Sequence, residues 1–226
     1  MHTHHAQFQN RIEAGQLLAA HLKAYANRSD VLVLGLPRGG VPVAYEVAKA
    51  LNAPLDVCLV RKLGVPGHKE LAMGAIAAGG VRVLNYEVVG WLGISGKMID
   101  EVAAKELREL QRRDHVYRGT RAQPEIRDRT VILVDDGLAT GSTMRAAISV
   151  IKPQRPGRLV VAVPVAAPEV CEQLRMEVDE LVCLHTPEAF YAIGIWYENF
   201  SQTTDEEVCR LLAKPTVHYQ NSFTSV

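Results

Sequence analysis

Apolar residues recur along this chain in short blocks: Val31 to Leu34, Leu55 to Val60, Val131 to Val134, Leu159 to Val163 and Leu181 to Leu184. Each is too short for a typical helix and too uniformly apolar for a strand with one wet face. That pattern predicts strands of a parallel sheet covered on both sides. Between them, Val43 to Leu51, Ser142 to Ile151 and Pro168 to Met176 supply crossover helices, with Pro168 suited to a first-turn position. The expected architecture is α/β: an open, mostly parallel sheet flanked by helices.

One stretch departs from the alternation. "LAMGAIAAGGVRVL", Leu71 to Leu84, reads as two strands folded about Gly79-Gly80. Ser95 to Arg113 then reads as a long helix, with Ile99, Val102, Leu107 and Leu110 on its apolar face and favourable Glu101–Lys105 and Glu109–Arg113 pairs. We take residues 71–113 as an insertion between core strands, a lid or part of a subunit interface. The domain plan is a flexible N-terminus over 1–10, one domain over 11–214 and a tail over 215–226.

Composition narrows the setting. The chain has 226 residues, 48% of them hydrophobic, enough for one substantial core. Lys+Arg and Asp+Glu balance at 25 each and are interspersed, with no basic arm for nucleic acid. No apolar stretch reaches the roughly 18 residues of a membrane span, and the polar start "MHTHHAQFQN" lacks a signal-peptide core. A cytoplasmic protein is expected. Cys58, Cys171, Cys183 and Cys209 form no CxxC pair and read as free thiols.

The chemistry concentrates in "VILVDDGLATGSTM", Val131 to Met144. Ligands of an open parallel sheet bind beyond the carboxyl ends of its strands, where Asp135 and Asp136 stand. Gly137 and Gly141 permit unusual backbone, and Thr140, Ser142 and Thr143 bring hydroxyls to the start of a helix. A helix N-terminus is a ready phosphate site, yet the aspartates in front of it repel an anion. Either a divalent cation bridges acids and anion, or the acids accept hydrogen bonds from hydroxyls of the same ligand. Both fit a phosphorylated sugar with Mg²⁺ nearby. The missing lysine and the glycine spacing exclude a Walker A loop, and no GxGxxG fingerprint is present.

"VILVDDGLATGST" closely resembles the signature of type I phosphoribosyltransferases, which bind phosphoribosyl pyrophosphate (PRPP). The resemblance implies that Gly137, Leu138, Ala139, Thr140, Gly141, Ser142 and Thr143 hold the 5-phosphate while Asp135 and Asp136 contact the ribose hydroxyls and a metal. A second match follows the first core strand: Pro37-Arg38-Gly39-Gly40 is similar to the family's pyrophosphate loop, with a charge on Arg38 and close backbone approach at the glycines. The resemblance predicts a cis peptide at Pro37–Arg38.

Arg61 and Lys62 end the expected strand Leu55 to Val60 and lead into "LGVPGHKELAMG", which resembles the loop that closes over pyrophosphate. They are expected in catalysis as anion contacts, with His68, Lys69 and Glu70 as further candidates. "PEAFYAIGIWYENF" resembles the family's hood over the acceptor, placed here at about 185–205. Phe190 is the first stacking candidate, then Tyr191 and Trp196.

The sequence also departs from the family. Where 6-oxopurine enzymes carry a third acid in the phosphate loop, this chain has Ala139, and where they carry a base-reading lysine it has Ala166 and Ala167. The resemblance therefore implies an Mg²⁺-dependent transfer of the phosphoribosyl group from PRPP to a nitrogenous acceptor other than hypoxanthine or guanine. Two alternatives stand beside it: a PRPP-binding regulator without transferase activity, and a non-catalytic interaction protein. Homodimerisation is expected from family habit.

Overall fold

The computed structural model describes residues 7–217, without the side chains of Lys69 and Glu70. The N-terminal histidines, the last part of the tail and the roles considered for Lys69 and Glu70 lie outside the described residues. The expected parallel sheet is present. Strands β1 (Val31–Gly35), β2 (Leu55–Val57), β6 (Thr130–Val134), β7 (Arg158–Val165) and β8 (Glu180–His185) run in the order β2-β1-β6-β7-β8. All four neighbouring pairs are parallel.

Uniform apolarity has the expected cause. Successive strand residues point to opposite faces, and both faces are dry. On one face Leu32, Leu34, Val131, Leu133, Val161 and Val163 pack against α5 (Ser142–Ile151) and α6 (Pro168–Arg175). On the other, Val31, Val33, Ile132, Val134, Val160 and Ala162 meet α1 (Arg11–His21) and α2 (Gly40–Leu51). Burying each such Val, Leu or Ile is worth roughly 1.5–3 kcal/mol relative to leaving it exposed.

The block read as one strand from Leu55 to Val60 is divided between two sheets. β2 ends at Val57, and β3 (Val60–Val65) opens a separate antiparallel sheet with β4 (His68–Ala77) and β5 (Arg82–Leu84), in the order β3-β4-β5. Hydropathy could not reveal the division, because Cys58 and Leu59 are buried as fully as the strand residues around them. The hairpin about Gly79-Gly80 is β4–β5, with Gly80 at φ +80°. The long helix is α4 (Gly96–Arg118), capped where expected by Ser95, whose hydroxyl accepts from the Met98 N–H, but running past Arg113 to Arg118. The smaller sheet, α4 and α7 (Asp205–Ala213) share a core built on Leu63, Met73, Ile99, Leu110, Val208 and Leu211. The short α3 (Tyr86–Trp91) buries none of its residues.

Candidate functional site

The two loops singled out in the sequence meet at the carboxyl ends of β1 and β6. Leu36 donates its N–H to Val134 O at 2.9 Å, carrying the ladder one residue past β1. The chain then turns through Pro37–Arg38, whose peptide is cis, into α2. Glycine is required twice. A Cβ on Gly39 would stand 2.0 Å from Asp136 Oδ2, and one on Gly40 would stand 2.7 Å from Val134 O and 2.8 Å from Asp135 Cα. The acids are therefore packed against the bare backbone of the other loop.

Asp136 is fixed on several sides. Its N–H donates to Asp135 Oδ1 at 2.9 Å, and its carbonyl accepts from the Tyr197 hydroxyl at 2.6 Å. Its Oδ2 accepts from Arg11 Nε at 2.8 Å. Burial, reinforced by the Asp136 charge, raises the Asp135 carboxyl well above the usual carboxylate range. Burial likewise raises the Tyr197 phenol, which stays a neutral donor.

Beyond the acids, Leu138 turns inward: its N–H donates to Val165 O at 2.9 Å and its carbonyl accepts from Ala167 at 3.1 Å. This anchors the middle of the loop on the end of β7 and leaves Ala139, Thr140, Ser142 and Thr143 exposed. Gly141 caps α5 at φ +67°, where a Cβ would lie 2.6 Å from Val170 Cγ1. Thr140 and Ser142 are hydrogen-bonded through their hydroxyls at 3.2 Å. The segment from Asp135 to Met144, together with Ile193, surrounds a cavity of about 190 Å³. Its floor is the N-terminus of α5, and the first N–H groups of a helix together with its dipole favour an anion at such a place.

The other expected residues lie farther out. Arg38 sits 3.9 Å from Asp205 at the start of α7, and Asp205 also accepts from the Tyr117 hydroxyl at 2.5 Å. Arg61 and Lys62 are strand residues of β3, so they face opposite sides. Arg61 pairs with Glu106 of α4 and borders a hollow of about 440 Å³ with Lys105, Arg108 and Arg112. Lys62 borders a cavity of about 350 Å³ between β4, β5 and α5, which shares Ser142 with the phosphate-loop cavity. The two cations thus do not converge on one anion in this arrangement. His68 is exposed.

In the hood, Trp196 is 6% exposed and packs with Phe8, Val165 and Tyr197. It is a core residue on which Phe190 stacks, with ring centroids 6.4 Å apart and planes at 19°. Phe190 is half-buried in the cluster that includes Ile193, while Tyr191 is 81% exposed. Among the described residues no group of three or more His, Cys, Asp or Glu side chains could cage a metal. Asp136 gives an oxygen to Arg11, so of the two acids expected at a metal only Asp135 has no ion pair among the described residues.

Arg11, Ile193 and Tyr197 were not found from the sequence. Arg11 is 125 residues from Asp136 and Tyr197 is 61 away, so no local spacing announces either. Ile193 and Tyr197 lie within the hood segment "PEAFYAIGIWYENF", Tyr197 one residue beyond Trp196, while nothing in the sequence marked Arg11.

The chain belongs to the phosphoribosyl transferase domain family, whose pattern matches residues 6–194. It is 47% identical over 205 residues to the Mycobacterium tuberculosis (strain H37Rv) protein Rv0571c, a relative named for the same family. The match covers 91% of this chain and 46% of that protein, so the chain spans about half the length of the curated relatives it matches. Its structure is similar to that of TT1426 from Thermus thermophilus, with a TM-score of 0.84 and 44% identity over 91% of this chain and 97% of that one. It is also 31% identical over 119 residues to the bifunctional protein PyrR of Alkaliphilus metalliredigens, over 52% of this chain and 59% of that one. No helix among the described residues is long and apolar enough to cross a membrane.

Proposed function

We propose that this domain transfers the 5-phosphoribosyl group of PRPP to a nitrogenous acceptor other than a 6-oxopurine, releasing pyrophosphate. The observation that carries this reading is the contact of the Asp135–Asp136 pair with the Gly39–Gly40 backbone, beside an exposed hydroxyl loop at a helix start. One sugar phosphate accounts for both halves. Its 5-phosphate accepts from the N–H groups and hydroxyls of Thr140 to Thr143, its ribose hydroxyls donate to the free carboxylate oxygens, and its pyrophosphate lies along Arg38 and the N-terminus of α2.

The reaction asks little covalent chemistry of the protein. The bond from the anomeric carbon to pyrophosphate breaks, with its electron pair leaving on the pyrophosphate oxygen. The acceptor nitrogen supplies the pair for the new bond and then loses its proton. Positioning and charge stabilisation therefore carry the rate. Arg38 stands in the loop proposed to hold the leaving group, and its weak 3.9 Å contact with Asp205 leaves it available. Phe190 and Tyr191 are the acceptor's stacking surface, with Trp196 stacked beneath Phe190 as its support.

Mg²⁺ fits this site as an ion carried in with the substrate. Such ions are held by one or two carboxylates, waters and substrate phosphates, and Asp135 with the PRPP oxygens makes such a set. The ion would neutralise charge on the departing pyrophosphate. The absence of an acid at Ala139 and of a lysine at Ala166 and Ala167 supports an acceptor other than hypoxanthine or guanine.

Calorimetry with PRPP, with and without Mg²⁺, tests the binding step, and pyrophosphate release over a panel of nitrogenous bases tests the transfer. Saturable PRPP binding lost in Asp136→Asn supports the site. Binding without release on any acceptor would turn the reading toward a PRPP-responsive regulator.

A further inference from the structure

Arg11 stands at the first position of α1, just after its N-cap Asn10, and its side chain runs into the site. Nε donates to Asp136 Oδ2 at 2.8 Å and a terminal nitrogen donates to Ser201 O at 2.7 Å. The guanidinium carbon lies 3.9 Å from the centre of the Phe200 ring. Both charged side chains are only 11% exposed, so the pair is poorly screened by water. One planar cation therefore ties the second acid of the β6 loop to the hood, at Phe200 and Ser201.

The route by which Arg11 arrives is itself built. Phe8 forms a bridge with Tyr197. Glu198 and Asn199 donate their N–H groups to Phe8 O and Gln9 O, each at 2.9 Å. The chain before α1 is thus paired with the hood before it turns into the helix, and Arg11 follows at a set distance. Asp136 is held on its main chain by Tyr197, whose backbone belongs to the same pairing. Without Arg11, the Asp136 carboxylate would have Asp135 and the Gly39 backbone beside it and no cation paired to it among the described residues.

We propose that Arg11 is a positioning residue for PRPP binding: it holds the Asp136 carboxylate in the orientation that receives the ribose hydroxyls, and couples that orientation to the hood. It touches neither the sugar nor the leaving group; it acts through Asp136. The inference rests on the PRPP reading of the site. Planarity matters as much as charge, because Nε and a terminal nitrogen serve Asp136 and Ser201 while the face of the group covers Phe200. A lysine ammonium supplies one point charge and cannot make all three contacts at once.

The test is PRPP affinity by calorimetry for wild type, R11A and R11K, with thermal unfolding run in parallel. R11A is expected to bind about 10- to 100-fold more weakly, the scale of loss when the outer partner that orients a metal ligand is removed. R11K should recover only part of that loss. Millimolar guanidinium should restore binding to R11A while leaving wild type unchanged, an effect that lost packing alone does not produce. If R11A does not fold, R11Q carries the same expectation, since its amide keeps a donor without the charge. A folded R11A with affinity within twofold of wild type overturns the proposal, as does a weakened R11A indifferent to guanidinium. If wild type itself does not bind PRPP, the proposed function fails and this inference with it; if only the Arg11 comparison fails, the proposed function stands.

Discussion

Asp136 Oδ2 lies where the side chain of residue 39 would begin, 2.0 Å from the Cβ that any residue but glycine would carry there. Gly39→Ala must therefore displace either the carboxylate or the start of α2. We expect overpacking of about 1–3 kcal/mol and loss of measurable PRPP binding by calorimetry. Gly90→Ala is the control: its Cβ meets nothing within 4 Å and it lies inside α3. That change is expected to stabilise by about 0.4–1 kcal/mol without affecting binding.

The neighbouring acid predicts a pH dependence. Burial and the Asp136 charge raise the Asp135 carboxyl, so between its unfolded and folded values the native chain binds more protons than the unfolded chain. Stability is then fully present below the ordinary aspartate pKa and falls as pH rises toward the raised folded value. Asp135→Asn should flatten that decline and raise the unfolding temperature at neutral pH, by about 2–4 °C for each kcal/mol relieved. PRPP binding should be lost in the same variant. An unfolding temperature lower than wild type at neutral pH would contradict this reading of Asp135.

Arg38 and Arg61 separate position from charge. Arg38 belongs to the proposed pyrophosphate loop and has only a 3.9 Å contact with Asp205, whereas Arg61 is paired with Glu106 of α4. Arg38→Ala is expected to weaken PRPP and pyrophosphate binding by about tenfold or more, the scale of a lost charge-assisted hydrogen bond to an anion. Arg61→Ala should change affinity by less than about threefold, as expected of a partly exposed ion pair worth at most about 1 kcal/mol. Equal losses in the two variants would show that the hairpin β3–β4 moves Arg61 into the site on binding.

The hood aromatics should divide in the same way. Trp196→Ala removes a core side chain and is expected to cost about 3–5 kcal/mol of stability by denaturant unfolding. Phe190→Ala and the exposed Tyr191→Ala should leave unfolding nearly unchanged for Tyr191 and moderately lowered for Phe190, while raising the Michaelis constant for the acceptor. An acceptor constant unmoved by either change would remove them from that surface.

Burial predicts thiol behaviour. Cys58 lies in the core, and its thiol is pushed up to about 12 by burial. In native protein at neutral pH it should resist maleimide over a period in which the half-buried Cys209 is modified; mass spectrometry of the labelled peptides reads this directly.

Several elements could be read from the sequence because their determinants are local or periodic. β1, β6, β7 and β8 declared themselves as apolar blocks, since a strand covered on both faces has no polar alternative at any position. The Asp135–Thr143 and Pro37–Gly40 loops were legible because tight backbone and a helix start demand particular residues in a row. The division of Leu55 to Val65 between two sheets was not legible, because Cys58 and Leu59 are as buried as a strand and carry no breaker. For Arg61 and Lys62 the sequence showed two adjacent cations, but only the strand pairing of β3 decided that they face apart.

The tight backbone and residue order of the two loops were thus legible in the sequence alone. That Gly39 is the bed of Asp136, that Tyr197 and Arg11 hold that acid, and that Trp196 is core were decided by tertiary structure. The reason is distance along the chain: Arg11 and Asp136 stand 125 residues apart, and such a pair leaves no periodicity or spacing to read. It exists only because the segment before α1 pairs with the hood and brings its first helical residue to the mouth of the sheet.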